Sequence, residues 1–438
     1  MPPSVIQTPG VLRVGDRTAN IHPESWDPKV QRYNPLDTYP LMMKLDSLPK
    51  GGPIKSRVHH WWEKPFNGLT GSITDIYTTN NVVSGTGTSG TPAAGEEHFI
   101  KPDSTGFTKI YNITEYDQIE IYSTSVRKSV RGYTTAKHVG TSSNSWFNFI
   151  LLEADTSSVL AGTGLYWTIV SRSEQEVREL KDAVNEHETG YQNYVETMEV
   201  AHSISEDELN EETRTEEDLK MDKEMESLQR LNQYREMSVL EGTYTKIGDR
   251  YFAGGLRYFL NTYESANIID WRTDTTYSAS TDSVLGGSIP FIKNLSMYTR
   301  QWSKPGTRKM LLCSQTVRGI LDDCVLNAGM YKIDYETTKY GLNVAVLKGL
   351  DQEIEIVEEP LFNLNPAKTY TVYMIEPDRI QRRTVKDGEL MRIPWSSLKQ
   401  PGDTYKSYIK GGWRVKETYQ WNRLASHAII ENFGLAKL

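Results

Sequence analysis

Polar and apolar positions alternate with a period of two in several short runs and recur every three or four residues in a few longer ones. The strand pattern dominates between 72 and 172. Gln118 to Thr124 alternates through Ile119 and Ile121, Trp146 to Leu152 is almost continuously apolar, and Tyr166 to Val170 repeats the theme. This stretch therefore reads as a small β unit. A short helix should follow, capped by Ser173 with Glu176, carrying Val177, Leu180 and Val184 and stopping before Gly190. The next strand, Tyr194 to Val200, runs into a long helix. There Met221, Met225, Leu228, Leu231 and Tyr234 form one apolar stripe, and Gly242 supplies the stop.

Beyond Gly242 the pattern is mixed. Phe291, Ile292, Leu295, Tyr298 and Trp302 mark one amphipathic helix. Val317, Ile320, Leu321, Cys324 and Ala328 mark another, opened by Ser314 and closed by Gly329. Apolar strands are expected at 342–347, 354–357 and 369–375. A terminal strand runs from Trp413 to Trp421 with Trp413, Val415, Tyr419 and Trp421 on one face. No repeat appears at a solenoid period. The first 53 residues differ: nine prolines with little periodicity predict extended chain that cannot make a core of its own. Val58 to Glu63 is a strand candidate after it.

Charge sharpens this picture. The net charge of −8 disfavours a nucleic-acid reader, which needs clustered Lys and Arg to neutralise phosphates. Thirteen acidic and five basic residues between Ser205 and Glu241 carry the whole imbalance, and the rest of the chain is neutral. Ser203 with Glu206, and Ser205 with Glu208, fit a capping box, and acids suit a helix start. Glu216 to Lys220 and Glu226 to Arg230 are i,i+4 pairs in the favourable order. A helix over the whole segment would be ~55 Å long at 1.5 Å per residue. With 37% apolar and 24% charged residues the chain is ordinary for a globular protein. No apolar run approaches the ~20 residues that cross a bilayer. The amino terminus lacks the pattern of a secretory signal, and two cysteines eleven apart suit a reducing compartment, so a soluble chain made inside a cell is expected.

Candidate chemistry is sparse. Gly85 to Gly90 matches GxGxxG literally, but Thr91, Pro92 and Gly95 follow where a phosphate-binding motif needs a helix, so a loop is expected. His59, His60 and Glu63 could ligate a metal, yet neighbours on a strand point to opposite faces, and Trp61 and Trp62 read as packing anchors. Cys324 lies on the apolar side of its helix and Cys313 at a strand end with no His within thirty residues, the pattern of inert thiols. Glu358-Glu359 is the best carboxylate pair for glycoside hydrolysis, which would need a cleft and a distant partner.

The order of segments says more than any motif: proline-rich arm, strand out, β insertion, strand back, charged helix, α/β unit, closing strand. A lone two-stranded excursion has no core, so its partners would be neighbouring copies in a symmetric shell. Several stretches resemble major capsid proteins of tailed bacteriophages with the Hong Kong 97 shell fold. Tyr191 to Thr197 is similar to the return strand of the extended loop, and Leu231 to Gly242 to the end of the spine helix. Gly254-Gly255-Leu256 is similar to the turn after it. Trp413 to Tyr419 with Ser426 to Ile430 is similar to the closing strand and tail.

The resemblance implies an α+β fold of the Hong Kong 97 type with an inserted small β domain. Residues 1–53 would be an N-terminal arm lying on a neighbour, 54–66 and 185–203 the extended-loop strands, and 67–172 the insertion. Residues 204–259 would be the peripheral domain with its spine helix at 205–241, 260–370 the axial domain, and 371–438 the return and C-terminal strand. Assembly contacts would come from Trp61, Trp62, Glu63, Tyr194, Glu196, Met198, Glu211, Glu217, Met225 and Leu228. The implied function is a major capsid protein building hexamers and pentamers into an icosahedral head around double-stranded DNA, with no catalytic residue, cofactor or metal. The implied partners are the chain itself, a separate scaffolding protein, a portal, a decoration protein and packaged DNA bound non-specifically, with no membrane. The implied location is the virion, assembled in the host cytoplasm. An encapsulin-type compartment and a glycan-binding or glycan-hydrolysing protein are the rival readings. The acidic helix start is expected to keep precursor shells metastable through like-charge repulsion.

Overall fold

The computed structural model describes residues 39–64, 69–78, 92–103, 109–141, 144–172, 188–205, 219–277, 283–300, 308–328, 333–337, 343–348, 353–386, 388–399 and 407–437. Two units separate cleanly: the chain up to Trp61 together with Tyr191 onward, and Trp62–Gly190. Strands Val58–Glu63 and Thr189–Tyr194, paired as a two-stranded sheet, carry the chain out and back.

The second unit is a β barrel. Strands Glu97–Pro102, Thr70–Tyr77, Leu165–Arg172, Asp117–Ser123, Lys128–Tyr133 and Trp146–Leu151 follow one another in space, and the first also pairs with the last. Closure leaves no free edge among these six, which removes the usual site of unwanted pairing. The alternation seen in the sequence is the inside of the barrel: Ile119 and Ile121, Phe147, Phe149 and Leu151, and Leu165, Trp167 and Ile169 are all buried in one core. Across the sheet Val130 faces Ile121, Ile121 faces Trp167, and Trp167 faces Gly71. A Cβ at Gly71 would fall 2.5 Å from the indole, so glycine there makes room for the tryptophan. The helix expected at 173–184 and the Gly85 to Gly90 loop lie outside the described residues.

The first unit is built on a sheet ordered Ile268–Asp270, Ala428–Glu431, Val372–Ile375, Lys309–Cys313, Glu353–Glu358, Asn343–Lys348 and Ile333–Thr337. Strand period two divides its side chains between two cores. Leu311, Cys313, Val372, Met374, Ala428 and Ile430 face one side, with Phe291, Ile292 and Leu295 of one helix and Val317, Leu321 and Cys324 of another. Met310, Leu312, Tyr373, Ile375 and Ile429 face the other, which also holds Val239, Leu240, Phe259, Tyr419 and Trp421.

Six helices are labelled in chain order: α1 (Pro40–Ser47), α2 (Leu219–Glu241), α3 (Leu256–Tyr263), α4 (Val284–Arg300), α5 (Gln315–Ala328) and α6 (Pro360–Leu364). Ser314 opens α5 as expected, its Oγ accepting from the Val317 N–H at 3.2 Å. Ser407–Trp421 is the long terminal strand, beginning earlier than the Trp413 read from sequence. It pairs with Glu196–Ser205, Ile380–Thr384 and Met391–Lys399.

Two expectations are corrected. Strand Glu196–Ser205 stays paired through Ser203 and Ile204, so Ser203 does not cap the spine helix. The proline-rich arm does not stay extended to residue 53: α1 forms at Pro40, and Leu41, Met42 and Leu45 enter the first unit's own core. Pro40 sits in the first turn, where its missing N–H costs nothing. The rest of the explanation lies almost two hundred residues away. The Glu236 carboxylate accepts the N–H groups of Leu41 and Met42 at 3.0 and 2.8 Å, closing two of the three donors that a helix start with proline in its first turn leaves open. Residues 1–38 lie outside the described residues.

Candidate assembly surface

The root of the extended loop is held by aromatic rings. Trp61 is buried, stacked on Tyr191 and tilted against Phe259, each with centroids 5.7 Å away. Trp62, its neighbour on the strand, points the other way and is 66% exposed. Glu63 is half-buried. On the returning strand Tyr194 stacks on Tyr244 at 4.2 Å and meets Tyr251 edge-on at 5.3 Å. Asn193 clamps that strand: its Nδ2 donates to the carbonyls of Gly254 (3.1 Å) and Tyr419 (2.9 Å), and its Oδ1 accepts the Gly254 N–H at 2.8 Å.

The Gly254-Gly255 turn closes on the end of α2. Gly255 N–H donates to the Gly242 carbonyl at 2.8 Å, and a Cβ at Gly242 would meet the Ala253 carbonyl oxygen at 2.4 Å. Only glycine permits that approach. Glu196 joins the same corner, accepting from Ser238 Oγ at 2.8 Å and from the Ala253 N–H at 3.3 Å; burial pushes its pKa up. Met198 packs with Leu231 and Val415 in a small core of its own.

Helix α2 departs from its sequence pattern. Of the five-residue stripe only Leu231 is fully buried; Met221 and Tyr234 are 62% and 55% exposed, Met225 is exposed and Leu228 is half-buried. The face turned into the subunit is mixed instead: Ser227, Leu231, Arg235, Glu236, Val239 and Leu240. Its polar members find partners, Ser227 and Arg235 in the terminal sheet and Glu236 in α1. His202 Nδ1 and Ser227 Oγ are 2.8 Å apart, and Trp413 Nε1 donates to the Glu224 carbonyl at 3.1 Å.

At the centre of that seam lies a buried ion cluster. Glu417 Oε1 and Oε2 accept from Arg235 Nε (2.8 Å) and Nη2 (3.2 Å), and Oε2 accepts from Arg382 Nε at 2.6 Å. Asp46 of α1 adds a carboxylate to both arginines, 3.6 Å from Arg235 and hydrogen-bonded to Arg382. Burial alone would raise the Glu417 pKa, but Arg235 and Arg382 outweigh it and hold the carboxyl below its ordinary value. Burial likewise opposes the Arg235 charge, and Glu417 more than restores it. Glu417 has a trace in the sequence, as the acid between Val415 and Tyr419 on an apolar face. Arg235, Arg382 and Asp46 have none, because the partners are separated by 35 to 336 residues.

The other candidates resolve into packing. His59 Nε2 lies 2.9 Å from Gln420 Oε1, while His60 is exposed, so the two rings diverge. Among the described residues no group of three or more His, Cys, Asp or Glu is placed to hold a metal ion. Both thiols are buried and free; burial pushes Cys313 up to about 12 and raises Cys324 as well. Glu358 lies 3.7 Å from Arg318, and Glu359 is buried, accepting the Leu361 N–H at the start of α6. Glu211 and Glu217 lie outside the described residues.

Comparison with known proteins gives one family: the model of the SU10 major capsid protein matches residues 8–432. Among solved structures the chain is similar to the cyanophage A-1(L) capsid (11% identity, 74% of this chain and 90% of that chain, TM-score 0.39). It is also similar to the capsid of Myoviridae phage XM1 (14%, 58% and 81%, 0.34). The holo-SrpI encapsulin complex from Synechococcus elongatus is a further likeness (8%, 56% and 78%, 0.38). No curated protein matches the chain.

Proposed function

The chain belongs to the SU10 major capsid protein family, and we propose that its copies join as hexamers and pentamers into an icosahedral head that encloses double-stranded DNA. It is a shell-forming structural protein of the virion capsid, not an enzyme. The family match over nearly the whole chain carries this reading.

The surface supports it in a specific way. Trp62 at the base of the loop, Met221 and Met225 one turn apart on one face of α2, and Tyr234 on another face of it leave large apolar groups in water. A single exposed apolar side chain needs no explanation, but two large ones side by side on one helix face are what a partner buries. We assign Trp62, Met225 and Leu228 to contacts between copies. Trp61, Glu196 and Met198 act one step back, by fixing the loop root and α2 inside each subunit. Tyr194, in its ring stack, sets the direction of the returning strand. Glu63 continues the loop beyond it.

The neutral-to-acidic chain contributes no basic lining, so DNA would be enclosed without being gripped. A separate scaffolding protein, a portal and a decoration protein complete the proposed partners, with assembly in the host cytoplasm. Electron microscopy of purified full-length chain, alone and with scaffolding protein, tests the reading. Closed shells or rings of five and six are expected. A compact monomer or trimer at every concentration would overturn it.

A further inference from the structure

We propose that Glu236 and Glu359 share one proton and form a latch that fastens α1 to the spine helix α2 and loosens as pH rises. The inference rests on contacts inside one subunit and does not depend on the shell reading.

Both side chains are fully buried. Glu236 already uses its two oxygens as acceptors, from Leu41 N–H and Met42 N–H in the first turn of α1. The Glu359 carboxyl lies within interaction reach of the Glu236 carboxyl. Its Oε1 accepts the Leu361 N–H at 3.2 Å, and among the described residues no donor reaches its Oε2. Two carboxylates cannot make a hydrogen bond to each other without a proton, and two negative charges in contact in a dry site cannot both persist.

The arrangement decides which acid carries the proton. Glu236 faces two N–H donors and sits beside Arg235, so it is the anion. Glu359 has an oxygen that nothing else donates to, so it carries the proton and donates to Glu236. Burial first, and then the neighbouring charge of Glu236, raise the Glu359 pKa well above the ordinary carboxyl range; burial raises Glu236 too.

The other charges facing the pair are committed elsewhere. From α2, Arg235 binds Glu417 and Asp46. From α1, Lys44 lies 3.8 Å from Glu355, Asp46 reaches Arg235 and Arg382, and the Tyr39 hydroxyl donates to the Gln229 carbonyl at 3.0 Å. From the strand before α6, Glu358 is paired with Arg318. From the terminal strand, the Tyr419 hydroxyl donates to Glu417 at 2.5 Å. None of these can replace the shared proton.

The sign follows. Releasing α1 admits water, and both carboxyls return toward their ordinary range and ionise at neutral pH. The docked form therefore holds one proton more than the released form, and the released fraction grows with pH by up to ~tenfold per unit.

The test is amide hydrogen exchange across Leu41–Leu45 in the full-length chain from about pH 6 to about pH 9, corrected for the intrinsic pH dependence of exchange. Wild-type protection should fall by up to ~tenfold per unit over part of that range. Glu359→Gln keeps a donor and cannot ionise, so its protection should stay high throughout; Glu236→Gln loses the anionic acceptor and should be weakly protected at every pH. Amides of Met310–Leu312 in the central sheet report whether each variant is folded. A wild-type profile flat in pH, or a Glu359→Gln profile that falls with it, would overturn the latch. Infrared spectroscopy of the wild type needs no variant: a buried carboxylic-acid band should be present at neutral pH, and its absence would also defeat the proposal.

Discussion

The barrel of the second unit and the α2 seam of the first bury side chains by opposite means. Inside the barrel, aliphatic and aromatic groups from six strands meet one another, and a tryptophan fits where a glycine withdraws. Across the seam, α2 meets the terminal sheet through Arg235, Glu417 and Arg382, with Asp46 and Glu236 reaching α1. The first arrangement is non-directional and tolerates small shifts. The second works only with every partner present, because each buried charge is costly alone. A barrel of this kind holds its shape whatever surrounds it, whereas the seam is where pH or a contact with another copy can change the subunit.

The largest test of that contrast is Glu417→Ala. It leaves two buried guanidiniums with only the part-exposed Asp46 carboxylate between them, and a loss of about 3–5 kcal/mol is expected in urea unfolding of the first unit. A loss under about 1 kcal/mol would mean the arginines find water, and the seam would not depend on charge. Next comes Trp167→Ala, which should cost about 3–4 kcal/mol in the barrel while near-ultraviolet circular dichroism of the other unit's rings stays unchanged.

A pH effect ranks third. Burial, and then the charge of Lys309, hold the His427 pKa at about 3, so the folded chain keeps a neutral ring while the unfolded chain protonates below about 6.5. The contribution is intact above that value and falls by up to ~1.4 kcal/mol per pH unit on acidification toward pH 3. Unfolding midpoints measured from neutral to acid should slope accordingly, and His427→Asn should flatten them. The smallest effect is on Met225→Gln: less than ~0.5 kcal/mol on the isolated subunit, with a clear reduction in closed shells by electron microscopy. A variant that still closed shells normally would remove Met225 from the contact between copies.

The barrel was the most legible part of the chain. Ile119, Ile121, Phe147, Phe149 and Trp167 alternate because a single face is buried, and period two records that directly. Helix α5 was legible for a similar reason, since Ser314 and the spacing from Val317 to Cys324 are local. The spine helix misled. Its apolar row looks like a buried stripe, yet Met221, Met225 and Tyr234 face outward and the inward face carries Arg235 and Glu236. A residue-by-residue pattern prices a charge as solvent-facing; it cannot register that Glu417, 182 positions later, turns Arg235 inward. Helix α1 was missed on the same grounds, because its capping group stands 194 residues from the turn it caps. The family resemblance supplied the order of elements, and the contacts that fix them are long-range.

The strand Lys309–Cys313 touches both cores of the first unit, Met310 and Leu312 on one side and Leu311 and Cys313 on the other. Sliding it by one position would send every one of these groups into the wrong compartment. So the central sheet has no nearby alternative state, and behaves as a stiff plate. Any change of shape that a curved lattice demands of its subunits must be absorbed at the margins of that plate, where ionic contacts can rearrange without swapping one interior for another.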